Sequence, residues 1–204
     1  MNTFRRRCAP FLTALVMLTL AASVHAAPDL ITREICKDAI PQVASAYAGI
    51  LQPAGDASYC IVGDFTGDGR PDVLMVVKVL VAKVPASTGI QTIYPFSTKD
   101  HRGSADKGRL QFLALHATPA SKMQPWTTAD KLLLDGQSPI LVLRDTEGAS
   151  DLVRVTQRSR ELKELQLSPR AMRNEGVMLG TEAVTAILYW NGKTYVLHED
   201  PAGP

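Results

Sequence analysis

Residues 60–84 read CIVGDFTGDGRPDVLMVVKVLVAKV: a short apolar segment, a polar turn and a long apolar segment rich in valine. β-Branched residues favour extended backbone, so both apolar segments are predicted to be strands. The second, residues 73–84, is apolar at almost every position, which is typical of a strand buried on both faces for part of its length. This stretch therefore predicts two strands joined by an acidic turn.

Upstream of this stretch, residues 29–51 have apolar side chains at steps of three and four residues. That spacing places them on one face of an α-helix. Pro41 lies inside the pattern, so either the helix kinks there or two short helices meet, with Pro41 in the first turn of the second. Pro53 and Gly55 then end helical structure.

Downstream, further apolar segments predict strands at residues 110–117 and 139–144. Residues 151–167 fit either a helix or a strand, and their good helix formers favour the helix. Two apolar segments within 184–197 flank residues 191–192, an Asn-Gly pair typical of a type I′ hairpin turn. An initial helix followed by hairpin-connected strands predicts an α+β fold. We expect the N-terminal helix to pack on a mainly antiparallel β-sheet, in a single domain that ends in a β-hairpin.

Residues 1–26 have the three parts of a secretory signal peptide. Residues 5–7 are arginines, residues 11–22 are apolar, and small residues precede a predicted cleavage after Ala26. The apolar segment is shorter than the roughly 20 residues that cross a bilayer, so a membrane anchor is not expected. The mature domain, residues 27–204, is predicted to be periplasmic or secreted and to have no membrane span.

The composition is that of an ordinary globular protein, with 46% hydrophobic and 21% charged residues. The formal net charge is +2, but three of the 22 basic residues belong to the signal peptide, which leaves 19 against 20 acidic side chains. Binding to a nucleic-acid backbone needs clustered lysine and arginine. This balance therefore excludes a general nucleic-acid-binding protein.

Cys8 leaves with the signal peptide, so the exported chain keeps Cys36 and Cys60. In an oxidising compartment, these two cysteines are expected to form a disulfide. It would close a loop of about 25 residues, which corresponds to on the order of 3 kcal/mol of stability in the chain-entropy model. The alternative is a catalytic or metal-binding cysteine pair, which neither a C-x-x-C spacing nor a neighbouring histidine supports.

Residues 64–72, DFTGDGRPD, place three acids within one short loop. Calcium prefers six to eight hard oxygens, and a tight loop supplies them from alternate side chains and a carbonyl. The candidate ligands are the side chains of Asp64, Thr66, Asp68 and Asp72 and the carbonyl of Arg70. The loop is not an EF-hand, because Met75 stands where the closing glutamate would be. Alternatively, the acids only cap a turn between two strands by accepting backbone hydrogen bonds.

The segment GDFTGDGRPDVLMVV, and above all residues 63–73, resembles the calcium loop of FG-GAP or VCBS-type repeats. In these repeats a strand ends in Gly-Asp-Phe, and a Pro-Asp after the acidic loop leads into an apolar strand. The resemblance implies that Asp64, Asp68 and Asp72 are ligands. Propellers repeat such a loop in every blade, so a single copy does not imply a propeller. A looser resemblance is to small exported bacterial proteins with one such loop, a group without a defined activity.

The sequence contains no nucleophile elbow, P-loop, dinucleotide fingerprint or zinc motif. Basic residues between 154 and 173 are expected to form a solvated face. Aromatic residues that fit either a sugar-binding surface or pairing within a sheet are Trp126, Tyr189 and Trp190. Histidines isolated in sequence, expected to be solvated or to serve in packing, are His101, His116 and His198.

These features favour an exported, non-enzymatic interaction or binding module with a structural calcium ion. Its expected partner is an envelope protein or a glycan. The alternative is a periplasmic inhibitor or immunity protein that blocks an envelope enzyme, with residues 97–109 as a protruding loop. An enzyme is the least favoured class, because no catalytic motif occurs.

Overall fold

The computed structural model describes residues 27–93, 96–97, 108–118, 137–142, 151–180 and 185–199 of the 204-residue chain. The predicted signal peptide lies outside these residues. The helices are α1 (Ala27–Ala46) and α2 (Glu161–Glu164). The strands are β1 (Leu51–Pro53), β2 (Cys60–Gly63), β3 (Asp72–Val79), β4 (Gln91–Ile93), β5 (Phe96–Ser97), β6 (Leu110–Ala117), β7 (Gln137–Val142), β8 (Asp151–Thr156), β9 (Glu175–Gly180), β10 (Thr185–Trp190) and β11 (Tyr195–Glu199).

These strands form two sheets. The first sheet has the order β1-β3-β6-β7-β4, and β2 lies beside β1 along the same edge of β3. The second sheet has the order β5-β11-β10-β9-β8. Neighbouring strands are antiparallel except for β4 with β7 and β5 with β11, which are parallel.

The two parallel edge strands follow each other in the sequence but belong to different sheets. β4 ends at Ile93 in the first sheet, and β5 begins at Phe96 in the second. Their partners come much later in the chain, since Ile93 pairs with Val142 and Phe96 pairs with Val196. The chain therefore passes from one sheet to the other between Ile93 and Phe96.

The two sheets pack face to face, as the alternation of side chains along β3 shows. Leu74 and Val76 point into the space between the sheets, whereas Val73, Met75 and Val77 point away from it. The inter-sheet core also contains Phe65, Phe112, Ile140, Val177, Leu188 and Leu197. On the other face of the first sheet, the buried cluster includes Cys36, Ala39 and Val43 of α1.

The outer face of the second sheet is covered by residues 157–173, which we call the cover segment. This segment contains the one-turn helix α2 and a short 3₁₀ turn. Its inward side chains and the sheet residues they meet form a third buried cluster, which contains Leu162, Leu165, Leu167, Met172, Val155, Ile187 and Tyr189. Strand β10 is therefore buried on both of its faces.

The prediction of an α+β fold with a helix on one antiparallel sheet is wrong, because 43% of the described residues lie in strands that form two sheets. The difference arises in the second sheet. Residues 151–156, within the segment predicted to be helical, form β8 and pair with β9. In the rest of the segment predicted to be helical, only the four residues of α2 form an α-helix. Pairing with β9 outweighs local helix propensity at β8.

The C-terminal hairpin is present, but its turn is not type I′. Strands β10 and β11 pair from Ala186 with Glu199 to Trp190 with Tyr195, which leaves residues 191–194 as the turn. A type I′ turn needs positive φ at both central residues, and among the described residues other than glycine only Gln166 has it. Instead, Oδ1 of Asn191 accepts the backbone N–H groups of the third and fourth turn residues at 2.9 and 3.0 Å.

The ends of one helix and one strand also differ from the prediction. Helix α1 continues through Pro41 but ends at Ala46 rather than residue 51, because Leu51 already pairs with Val79 in β1. Strand β3 ends at Val79, short of the predicted end at residue 84. Among the described residues, no helix combines the length and apolar character needed to cross a membrane.

Candidate functional site

The acidic loop, residues 64–72, runs from the end of β2 to the first residue of β3. Gly67 and Gly69 have φ angles of 73° and 81°, a left-handed conformation that glycine adopts without steric cost. Phe65 is buried in the inter-sheet core and fixes the start of the loop there. The acids are therefore held at one end of the space between the sheets.

Asp64 organises the loop and ties it to the second sheet. Its Oδ1 and Oδ2 atoms accept the backbone N–H groups of Asp68 and Gly69 at 3.0 and 3.1 Å. Asn174 donates from Nδ2 to Oδ2 of Asp64 at 2.9 Å and to its carbonyl oxygen at 3.1 Å. Oε2 of Glu175, the first residue of β9, accepts the backbone N–H of Asp64 at 2.8 Å. The loop conformation therefore depends on both sheets.

Asp72 is fully buried and joins the loop to the middle of the first sheet. Its Oδ2 atom accepts the backbone N–H of Thr66, and its Oδ1 atom accepts that of Ala117 in β6, both at 2.9 Å. Burial raises the pKa of the Asp72 carboxyl from 3.8 to about 7, while the two N–H donors oppose this rise and the charge of Asp68 adds to it. A cation in the loop would therefore favour the ionised form.

Asp68 lies at the outer side of the loop. Its Oδ1 atom accepts the backbone N–H of Arg70 at 2.9 Å, and its Oδ2 atom lies 3.8 Å from Nη1 of the same arginine. An exposed ion pair at this distance contributes little stability. The Thr66 hydroxyl is near enough to Asp72 to lower the pKa of that carboxyl slightly. However, its Oγ1 atom is buried without a partner in hydrogen-bond geometry.

The loop supplies the oxygen donors that calcium needs but does not gather them into one cluster. In the part of the chain that the structure describes, no three His, Cys, Asp or Glu side chains are placed to share a metal ion. The carboxylates of Asp64 and Asp72 instead accept backbone N–H groups, as in a capped turn. Carboxylate oxygens have several lone-pair sites, so both keep the capacity to bind a cation. The donor chemistry fits calcium, and the hydrogen bonds fit the capped turn.

Next to the acidic loop lies a buried aromatic cluster that joins the two sheets. Nε2 of His116 in β6 is 2.7 Å from the hydroxyl of Tyr195 in β11. Trp190 packs edge-on against both rings, with centroids 5.0 and 5.3 Å away. Burial lowers the pKa of His116 to about 4 and raises that of Tyr195 well above 10. Both groups are therefore neutral at pH 7 and closed off from solvent.

The partners of the loop acids were not evident in the sequence. Asn174 directly precedes β9 and Glu175 is its first residue, and no local motif links them to a loop more than 100 residues earlier. The one local signal is Gly63, where a Cβ atom would lie 2.6 Å from Oε2 of Glu175. A glycine at this position indicates a close approach by another segment but does not say which.

The other predicted site residues lie apart from the loop. Cys36 and Cys60 form the predicted disulfide, which connects α1 to the strand that leads into the acidic loop. Nε2 of His198 in β11 is 2.8 Å from the carbonyl oxygen of Leu165, so this side chain contacts the cover segment. Tyr189 is buried under that segment. Predicted residues outside the described residues are His101 and Trp126.

Searches against models of protein families, against curated proteins and against solved structures gave no match. The resemblance to FG-GAP or VCBS loops therefore rests on the residues of the acidic loop and its flanking strands alone.

Proposed function

We propose that this chain is an exported, non-enzymatic interaction module in which the acidic loop binds a structural calcium ion. The observation that carries the proposal is Asp72, a fully buried carboxylate that holds the loop and β6 together without an ion-pair partner among the described residues. A buried charge is costly unless it is paired. Calcium would supply the missing positive charge.

The proposed ligands are the oxygens of the loop itself. Asp64, Asp68 and Asp72 would contribute carboxylates, Thr66 its buried hydroxyl, and Arg70 its carbonyl oxygen. The bound ion would neutralise the three acids and supply no reaction chemistry. Because Asp64 and Asp72 already contact β9 and β6, the bound ion would stiffen the contact between the two sheets.

A non-enzymatic role is supported by the surroundings of the buried titratable groups. His116 and Tyr195 bond to each other inside the inter-sheet space, where they are only 7% and 1% exposed. The disulfide between Cys36 and Cys60 agrees with folding in an oxidising compartment, the periplasm or the medium. The proposed partner is an envelope protein or a glycan. The inhibitor alternative depends on residues 97–109, of which 98–107 lie outside the described part of the chain.

Thermal unfolding in excess calcium and in chelator tests the proposal. The incomplete ligand set predicts a dissociation constant of roughly 10⁻⁴ to 10⁻³ M, the range of extracellular modules. At a hundredfold excess of calcium, linkage adds about 2.7 kcal/mol to the free energy of unfolding. For a chain of this size, that corresponds to a rise in melting temperature of roughly 5 to 10 °C.

The variants separate this site from a nonspecific effect of calcium. Asp68→Ala removes a ligand that holds little of the loop structure, so its melting curves in calcium and in chelator should coincide. Asp38→Ala removes an exposed acid of α1 and should keep the full calcium shift. Identical melting curves in calcium and in chelator for the natural protein would mean that the loop is only a capped turn. An unchanged calcium shift in Asp68→Ala would mean that the ion binds at another site.

A further inference from the structure

The cover segment combines an apolar inner side with a basic outer side. Its leucines pack on the second sheet, so the charged residues between them are directed outward. Five cations and two acids occur among its 17 residues, whereas the rest of the mature chain has an excess of acids. The exposed cations are Arg158, Arg160, Lys163, Arg170 and Arg173.

Most of this positive charge has no ion-pair partner among the residues that the structure describes. Arg160 bonds to Glu164 across one helical turn, with Nε to Oε1 at 2.8 Å. The other four cations form no ion pair with any residue that the structure describes. The second acid, Glu161, is half-buried and has no basic partner in the same part of the chain. The basic outer side is thus available to an external anion.

The chemistry of this face indicates the kind of partner. Protein interfaces are centred on buried apolar or aromatic side chains, and the cover segment exposes none of them. Val153, the exposed large hydrophobic residue among those described, lies on β8 outside the segment. Four of the five cations are arginines, whose planar guanidinium groups match phosphate oxygens in a bidentate manner. A spread of such cations without an apolar anchor fits a surface made of many phosphate groups.

We propose that the outer side of the cover segment docks the protein on a membrane surface that contains anionic phospholipids. Each arginine or lysine meets the phosphate of a separate lipid headgroup, and the protein stays outside the hydrocarbon core. The attraction is electrostatic and therefore falls as ionic strength rises. The proposal rests on the cations of the cover segment and does not require calcium binding, although Arg173 lies beside the acidic loop, with its Cγ atom 3.0 Å from the position that a Cβ atom of Gly67 would take.

Co-sedimentation with lipid vesicles tests the proposal on the purified protein with its disulfide intact. One set of vesicles contains phosphatidylglycerol and the other contains only neutral phosphatidylcholine. We expect binding to the anionic vesicles at low salt, loss of this binding at high salt, and no binding to the neutral vesicles. Equal binding to both kinds of vesicle, or binding to neither, overturns the proposal; the latter outcome would leave an acidic protein as the partner.

A matched pair of triple variants assigns the binding to this face. The variant Arg158→Gln, Lys163→Gln, Arg170→Gln removes three cations from the cover segment. The control Arg33→Gln, Lys78→Gln, Lys83→Gln removes three exposed cations from elsewhere in the structure and changes the net charge equally. Since each cation near an anionic surface strengthens binding severalfold, the first variant should bind at least roughly tenfold more weakly. The control should change binding less than about twofold, and an equal loss in both variants would overturn the assignment.

Discussion

Asp72 and His116 should change the stability of the protein with pH in opposite directions. Both are buried beside the acidic loop, but burial raises the pKa of the carboxyl and lowers that of the imidazole. The substitutions Asp72→Asn and His116→Gln each remove one of these groups. Each variant keeps a polar side chain at its position, and the cost of its altered hydrogen bonds does not depend on pH.

The signs follow from proton linkage. The folded protein holds the Asp72 proton up to about pH 7, whereas the unfolded chain releases it near 3.8, so Asp72 favours folding increasingly as the pH falls through this window. His116 is neutral in the folded protein down to about pH 4, whereas it is protonated in the unfolded chain below about 6.5. His116 therefore opposes folding increasingly as the pH falls from 6.5 to 4.

The magnitudes follow from the two pKa differences at about 1.4 kcal/mol for each pH unit. The rise from 3.8 to about 7 at Asp72 corresponds to on the order of 4 kcal/mol. The fall from 6.5 to about 4 at His116 corresponds to on the order of 3 kcal/mol. In the natural protein these two contributions nearly cancel between pH 4 and 6.5.

Urea unfolding in chelator, at steps between pH 4 and 7.5, measures the effect. Circular dichroism is the better probe, because Trp190 contacts His116 and its fluorescence would respond to the protonation itself. Relative to the natural protein, Asp72→Asn should lose about 4 kcal/mol as the pH falls, and His116→Gln should gain about 3 kcal/mol. Two difference curves that are flat, or that slope in the same direction, would refute the assignment of these pKa values to burial.

Two further predictions concern the cross-links around the loop. Cys36→Ala with Cys60→Ala removes a cross-link between positions 24 residues apart and should lower the free energy of unfolding by about 3 kcal/mol in urea titration, and an unchanged midpoint would contradict this. Gly63→Ala should lower the melting temperature, because its Cβ atom would meet Oε2 of Glu175 at 2.6 Å and Cε1 of Phe65 at 2.8 Å. The loss in melting temperature should be smaller in a Glu175→Ala background. An equal loss there would mean that the clash with Glu175 is not its cause.

The sequence predicted the strands whose signal is local and missed the way they are arranged. β3 and β6 are apolar at nearly every position because both of their faces are buried. β8 carries a weaker signal, because three of its six residues are polar and helix formers follow it in the sequence. Its strand conformation comes from pairing with β9, which local propensity does not contain. The existence of a second sheet could not be derived for this reason.

The candidate site was predictable to the same extent. The spacing of the acids in the loop is visible in the sequence and places them in a turn between two strands. The position of the loop over the inter-sheet space depends on Asn174 and Glu175, which contact it from the start of β9 in the second sheet. The buried state of Asp72 depends on its bond to Ala117 in β6. Such contacts follow from tertiary packing, so the raised pKa of Asp72 could not be predicted from the sequence pattern.

The passage of the chain between the sheets, from Ile93 to Phe96, sets the order in which the protein can fold. Among the described residues, β4 pairs with residues 140–142 and β5 pairs with residues 196–197, so neither pairing can form until those residues are available. Pairing over such separations is slow, because the entropy of closing a long loop is lost before the contacts form. A chain emerging in stages would leave open strand edges that can pair with other chains. Folding after the whole chain has been released avoids this exposure, since every strand is then present at once.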